Sequence, residues 1–315
     1  MSGYREIARK ITAQVNEHIL GKEEVVREVM TAFLAGGNIL LEDIPGVGKT
    51  TMALLFAHSM GLSWKRVQFT PDVMPSDLTG YSIYRRETGT FEYQKGAVFC
   101  NLMLADEINR TTPKTQSALL EVMQEKQVTV EGVTRVLEPP FIVVATQNPF
   151  GAVGTQPLPS AQMDRFMISM TVGYPDFESE VRMAKENRLE KTNENCEAIT
   201  DRDSFLKMQA EADKVFISDE VYRYLVELIT STREHGQIEQ GASPRGTIAL
   251  TRMAKASAWF EGRDYVTPED VASQFPYVAA HRIRLGAAAR MEGVKKKEVL
   301  REITDKVIKP EPGRK

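Results

Sequence analysis

Pro45-Gly46-Val47-Gly48-Lys49-Thr50-Thr51 follows the apolar run Ile39-Leu40-Leu41 and turns through proline and glycine into Gly-Lys-Thr. Such a segment holds a nucleoside triphosphate. Its glycines let backbone N–H groups converge on phosphate oxygens, and the next helix offers its positive N-terminal end. The lysine reaches the outer phosphates and the threonine hydroxyl meets Mg²⁺. The general pattern asks for glycine five residues before Gly48, where Asp43 stands, so the match rests on residues 45–50 and their context. An ordinary strand–turn–helix corner is the alternative. A second run, Val98 to Ala105, ends in Asp106-Glu107. The tip of a parallel strand faces the ligand crevice. One carboxylate there holds Mg²⁺, the role Asp106 fits, and a second orients and deprotonates the attacking water, the role Glu107 fits. A helix cap or surface turn is the competing use of two such acids.

Three further positions belong to the same chemistry. Asn148 follows the run Phe141 to Ala145 and can hold the attacking water, although Asn-Pro also starts ordinary turns. Pro159 to Phe166 predicts a short helix capped by Ser160, leading into another strand. Its Arg165 either pairs with Asp164, favours the helix C-terminus, or acts as an arginine finger on a neighbouring subunit's nucleotide. Gly241 to Arg245 predicts a helix start with Ser243 as N-cap and Pro244 first in the helix. Arg245 then opposes the helix dipole at a cost of about 0.3–1 kcal/mol, which a phosphate would offset; a plain surface arginine is the alternative.

Those residues need a scaffold. Residues 7–29 carry apolar positions at helical spacing, broken at Ile19-Leu20-Gly21. Apolar runs at 39–41, 66–69, 102–105, 141–145 and 166–170 alternate with helical segments, which predicts an α/β fold with a doubly wound, mostly parallel sheet. After about residue 174 the pattern predicts helices alone, at 178–190, 201–212, 219–234, 244–260 and 268–281, so the expected domains are 1–174 and 175–315. Two hairpins interrupt the α/β part, at 80–93 around Glu87-Thr88-Gly89 and at 127–136 around Glu131-Gly132. A helix beginning at Thr112-Pro113 precedes the second, and Lys295-Lys296-Lys297 is expected on a solvated helix face.

Composition narrows the class of function. The 315 residues are 42% hydrophobic and 26% charged, enough for a sizeable core plus a second domain. A net charge of −3 gives no global basic field to recruit nucleic acid. Cys100 and Cys196 suggest neither a metal site nor a disulfide framework. With a polar N-terminus and no apolar run approaching the roughly 20 residues that span a bilayer, a cytoplasmic protein is expected.

Leu40 to Thr50, Leu104 to Glu121, Ala145 to Pro149, Leu158 to Phe166 and Gly241 to Arg245 resemble, in order, the blocks of the MoxR family of AAA+ ATPases, across nearly the whole chain. Asp43 is ordinary within that family. The resemblance implies a P-loop NTPase domain with a C-terminal all-helical lid. It implies ATP and Mg²⁺ as cofactors, Asn148 as sensor 1, Arg165 as arginine finger with Arg110 as the other candidate, and Arg245 as sensor 2. Ile19, Leu20 and Gly21 would border the adenine, and the hairpins would be the helix-2 and pre-sensor-1 inserts. It further implies a homo-oligomer, a hexameric ring, that remodels a client protein complex together with a von Willebrand factor A domain protein. Two other functions fit parts of the sequence: a nucleotide-gated scaffold with little turnover, which Glu107 argues against, and a nucleic-acid motor. The motor's hairpins would need a basic stripe, whereas Arg85 and Arg86 adjoin Glu87, and Arg135 shares its hairpin with Glu131.

Overall fold

The computed structural model describes residues 3–43, 47–148, 158–186 and 196–310. Helices α1 (Gly3–His18) and α2 (Glu23–Leu34) precede β1 (Ile39–Glu42), α3 (Lys49–Ser59) and β2 (Trp64–Gln68). A short helix α4 (Pro75–Thr79) leads into the hairpin β3 (Gly80–Arg85) and β4 (Thr90–Lys95). Next come β5 (Leu102–Asp106), a 3-10 turn at Ile108–Arg110, α5 (Pro113–Glu125) and the hairpin β6 (Gln127–Val130) and β7 (Val133–Val136). Then β8 (Ile142–Gln147), α6 (Ser160–Met163), β9 (Ile168–Met170) and α7 (Phe177–Glu186) follow.

Five strands form one parallel sheet in the order β2-β5-β8-β1-β9. Successive side chains of a strand point to opposite faces, and here both faces are buried. Ile39, Leu41, Leu102, Leu104, Ile142 and Val144 enter one core; Leu40, Met103, Ala105, Val143 and Ala145 enter the other. Burial of each such Leu or Ile contributes about 1.5–3 kcal/mol, which explains why these strands read as unbroken apolar runs. The edge strand β2 is largely exposed and carries Lys65, Arg66 and Gln68.

The remainder comprises α8 (Arg202–Asp213), α9 (Asp219–Glu234), β10 (Ile238–Gln240), α10 (Pro244–Phe260), α11 (Pro268–Ala279), β11 (Arg284–Leu285), α12 (Ala287–Met291) and α13 (Lys296–Lys306). It docks on α1 and α2: Arg5 donates to the Gly262 carbonyl at 2.7 Å and lies over the ring of buried Trp259. Three local expectations change. The helical part is not helix alone, because β10 and β11 pair antiparallel, at lengths of three and two residues that leave no period to read. Pro159, not Ser160, occupies the N-cap of α6, and no side chain caps it. Lys296 turns inward, donating to the Ala280 carbonyl at 2.9 Å, with its pKa lowered by burial.

Candidate active site

The phosphate-loop residues that are described sit where β1 turns into α3. Gly48 is the N-cap of α3 with φ 85, a left-handed conformation that a side chain would strain. Lys49, Thr50 and Thr51 therefore form the helix's first turn, where unpaired N–H groups favour an anion. Lys49 Nζ donates to the Asp43 carbonyl at 2.9 Å. Burial lowers its pKa, and the charges of Asp43, Asp106 and Glu107 act in the opposite direction. Val47 is half-buried, while Pro45 and Gly46 lie outside the described residues. Asp43, at the position of the missing glycine, is buried and accepts from the Gly173 N–H at 2.5 Å, tying the loop to the chain leaving β9. Ile19 comes alongside, since a Cβ added at Gly48 would lie 3.7 Å from its Cδ1. Leu20 is buried, and Gly21 has φ 67 with α7 so close that an added Cβ would fall on Asp176 and Ser179.

Across the same strand ends stand the two carboxylates. Asp106 ends β5, and Glu107 follows with φ 55, the left-handed region that few residues other than glycine adopt. Thr146 on neighbouring β8 joins them: its hydroxyl donates to Asp106 Oδ1 at 2.6 Å and accepts from the Glu107 N–H at 2.9 Å. Arg66 reaches Asp106 Oδ2 at 2.7 Å, Gln68 donates to Glu107 Oε2 at 2.8 Å, and Arg110 reaches the same oxygen at 2.7 Å. Arg66 and Gln68 meet the acids because β2 pairs with β5 in register, Gln68 beside Asp106. Asn148 follows the last residue of β8, and its carbonyl accepts from Asn109 Nδ2 at 3.2 Å.

The donor set suits a magnesium nucleotide. Among the described residues no cluster of three metal-ligating side chains occurs, and Mg²⁺ with a bound nucleotide needs only one or two protein oxygens besides phosphate and water. Thr50, in the first turn of α3, and Asp106, at the end of β5, carry oxygens of the kind such a metal needs, and Gly48 at the helix start is left-handed. Arg66, Gln68 and Thr146 escaped the sequence reading.

Arg165 and Arg245 are not brought to these groups. Arg165 precedes β9, and Met167 N donates to the Asn38 carbonyl ahead of β1, so this segment lies at the N-terminal edge of the sheet. Lys49, Asp106 and Glu107 lie at the C-terminal edge, and a strand of four residues separates the edges by about 13 Å. Arg165 and Arg245 instead line one cavity of about 250 Å³ together with Asn38, Gln124, Asp164 and Arg252. Arg165 does not pair with Asp164, and its Nε is buried without a hydrogen-bond partner among the described residues. Arg245 does follow Ser243 as N-cap; its half-exposed guanidinium lies 3.3 Å from Gln124 Oε1 and 3.9 Å from Asp164. Arg110 is paired with Glu107 of its own chain.

Two family profiles match the chain. The profile of the ATPase family associated with various cellular activities (AAA) matches residues 38–168, and that of the AAA lid domain matches residues 230–303. The chain is 44% identical over 301 residues to YeaC of Bacillus subtilis, an uncharacterized protein, covering 96% of this chain and 94% of that one. It is 37% identical over 307 residues to Chaperone MoxR1 of Mycobacterium tuberculosis, covering 95% of this chain and 81% of the relative. The crystal structure of an inferred ATPase from Cytophaga hutchinsonii superposes with a TM-score of 0.91 at 40% identity, covering 98% of this chain and 96% of that one.

Proposed function

We propose, from the premise that this chain belongs to the MoxR family of AAA+ ATPases, that it hydrolyses ATP to ADP and phosphate in a site shared between two copies of itself. The observation that carries the reading is the pair Asp106 and Glu107, aligned by Thr146 at the strand ends beside Lys49. Mg²⁺ supplies charge neutralisation for the phosphates when bound. Lys49 and the first turn of α3 bind the outer phosphates, with Thr50 and Asp106 holding the metal. Glu107 takes a proton from water as its oxygen bonds to the γ-phosphorus and the bridging P–O bond to ADP breaks, and Asn148 orients that water. Ile19, Leu20 and Gly21 flank the nucleotide. Arg165 and Arg245, facing away from their own phosphate loop, stabilise the reacting phosphate of the neighbouring copy.

The work done by this cycle is chaperone-like remodelling of a client protein complex by a ring of six copies, with a von Willebrand factor A domain protein as partner. Support comes from the likeness to a protein named as a chaperone. No helix among the described residues is long and apolar enough to cross a membrane, and Cys100 and Cys196 are free thiols, which suits a cytoplasmic setting. Steady-state turnover tests the catalytic reading. Glu107→Gln is expected to lower kcat by about 10²–10⁴-fold, the usual contribution of a general base, while ATP binding persists. Equal turnover in the variant and the wild type would leave only a nucleotide-gated scaffold.

A further inference from the structure

Arg165 sits in a short turn between the four-residue α6 and β9, and neither element is long enough to fix it. One side chain from the helical part reaches the residues on both sides of it. Arg282, between α11 and β11, has a side chain only 2% exposed. Its Nε donates to Asp164 Oδ1 at 3.0 Å, and Nη2 to the carbonyls of Asp164 at 3.2 Å and Phe166 at 2.6 Å. Nη1 donates to the Met167 carbonyl at 3.0 Å and, within its own helix region, to the Val278 carbonyl at 2.5 Å. A guanidinium has five N–H donors, and each here meets an oxygen, four of them on the residues that flank Arg165. His281, fully buried and held neutral by that burial and by Arg282, closes the group with Nε2 at 2.8 Å from Arg282 Nη1 and 3.2 Å from the Phe166 carbonyl.

Asp164 also gathers the second arginine. Its carboxylate accepts from the Ser243 hydroxyl at 2.8 and 2.9 Å, and Ser243 is the N-cap of the helix whose first turn carries Arg245. Burial pushes the Arg282 pKa down to about 10, with Asp164 opposing the shift, so the cation persists at neutral pH. A buried ion pair contributes little net stability but enforces one geometry where its hydrogen bonds are complete. A finger that acts on charge in a transition state must be held within about half an ångström.

We propose that Arg282 is the positioning residue for Arg165: through this one guanidinium the lid sets where Arg165 is presented to the neighbouring copy, so that lid displacement in one chain retunes hydrolysis in the next. The inference rests on Arg165 acting in trans. Lysine keeps the charge and loses the fork, so Arg282→Lys is expected to lower kcat by about 100-fold, as a misplacement of 1 Å can, with KM for ATP within about 3-fold because Lys49 and Thr50 are untouched. The decisive measurement mixes Arg282→Lys with Glu107→Gln, each nearly inactive alone. Turnover is expected to return, because the intact Arg165 and Arg282 of the Glu107→Gln chain serve the intact acids of its neighbour. Asp164→Asn, which preserves shape while removing the charge Arg282 pairs with, is expected to behave alike and carries the test should Arg282→Lys not fold. Arg165→Ala mixed with Glu107→Gln is the reference. Recovery with Arg165→Ala but not with either positioning variant overturns the role of Arg282 alone; no recovery with any of them overturns the trans reading as well.

Discussion

At the residue scale the site depends on a hydroxyl that bridges two strands. Thr146 satisfies the Glu107 N–H and fixes Asp106 in one contact, and Glu107 holds a left-handed backbone that costs about 1–3 kcal/mol wherever it is not glycine. Thr146→Val keeps the shape and deletes the hydroxyl. The Glu107 N–H then loses its partner, so the variant is expected to lose about 1–3 kcal/mol in denaturant unfolding, and to lower kcat more than it raises KM, since the phosphate loop is unchanged. A loss confined to stability, with wild-type kcat, would deny Thr146 its aligning role. Lys126 gives a pH signature away from the acids. It caps α5 with φ 54, and its Nζ donates to the Phe141 carbonyl at 2.8 Å over that residue's ring. Burial pushes its pKa down to about 8, whereas the unfolded chain holds the proton to about 10.4. Below pH 8 both states are protonated and the burial cost is fully present. Between pH 8 and about 10 the unfolded state binds more protons, so stability rises with pH, by at most about 1.4 kcal/mol per unit. The stability of the wild type relative to Lys126→Met, followed by urea unfolding from pH 7 to 10, is expected to increase over that window and to stay flat below it.

At the element scale, the two hairpins form a joint projection. Ser82 donates to Glu131 at 2.6 Å, and Arg135 stacks 3.6 Å over the Tyr93 ring. Arg85 pairs with Glu92 across the first hairpin at 2.6 Å. Apolar side chains remain outside: Phe91 and Val136 are each 73% exposed. Residues that bury so little should add little to folding, so Phe91→Ser and Val136→Ser are each expected to change unfolding free energy by no more than about 0.5 kcal/mol. A larger loss by thermal or urea unfolding would mean these side chains are packed in solution. The hairpins were legible because a two-residue period runs into Thr88-Gly89 and Glu131-Gly132. Central strands were legible because burial on both faces leaves unbroken apolar runs, and Thr112-Pro113 and the Ser243 cap announced their helices. Lateral strand order was not, since periodicity carries no information about which strand lies beside which. For the same reason the contacts of Arg66 and Gln68 with the acids, and of Arg282 with residues 164–167, could not be read: each joins segments far apart in the chain.

At the scale of the whole molecule, the residues of the proposed site lie on opposite edges of one sheet. Lys49, Thr50, Asp106 and Glu107 occupy the C-terminal edge, while Arg165 and Arg245 face a cavity at the N-terminal edge with Arg252 beside them. A single chain cannot fold its own arginines onto its own phosphate loop without breaking the pairing of β9 with β1, which holds Ile168 beside Ile39. On the proposed trans reading, the site is completed by a second copy whose N-terminal edge meets the first copy's C-terminal edge. That contact is heterologous, and such contacts close into rings when the rotation permits. Turnover per chain must then depend on concentration, unlike that of an enzyme whose site lies within one chain. Specific ATPase activity is expected to fall on dilution in step with the mass-average size measured by light scattering under the same nucleotide conditions. Arg165→Ala is expected to leave the size curve in place, because in the proposed role its guanidinium acts on the reacting phosphate, while lowering activity by about 10³–10⁵-fold at every concentration, the range that an arginine finger supplies. Specific activity that stays constant into the range where only monomers scatter would show that one chain completes its own site, and would return Arg165 and Arg245 to the role of surface arginines around a cavity.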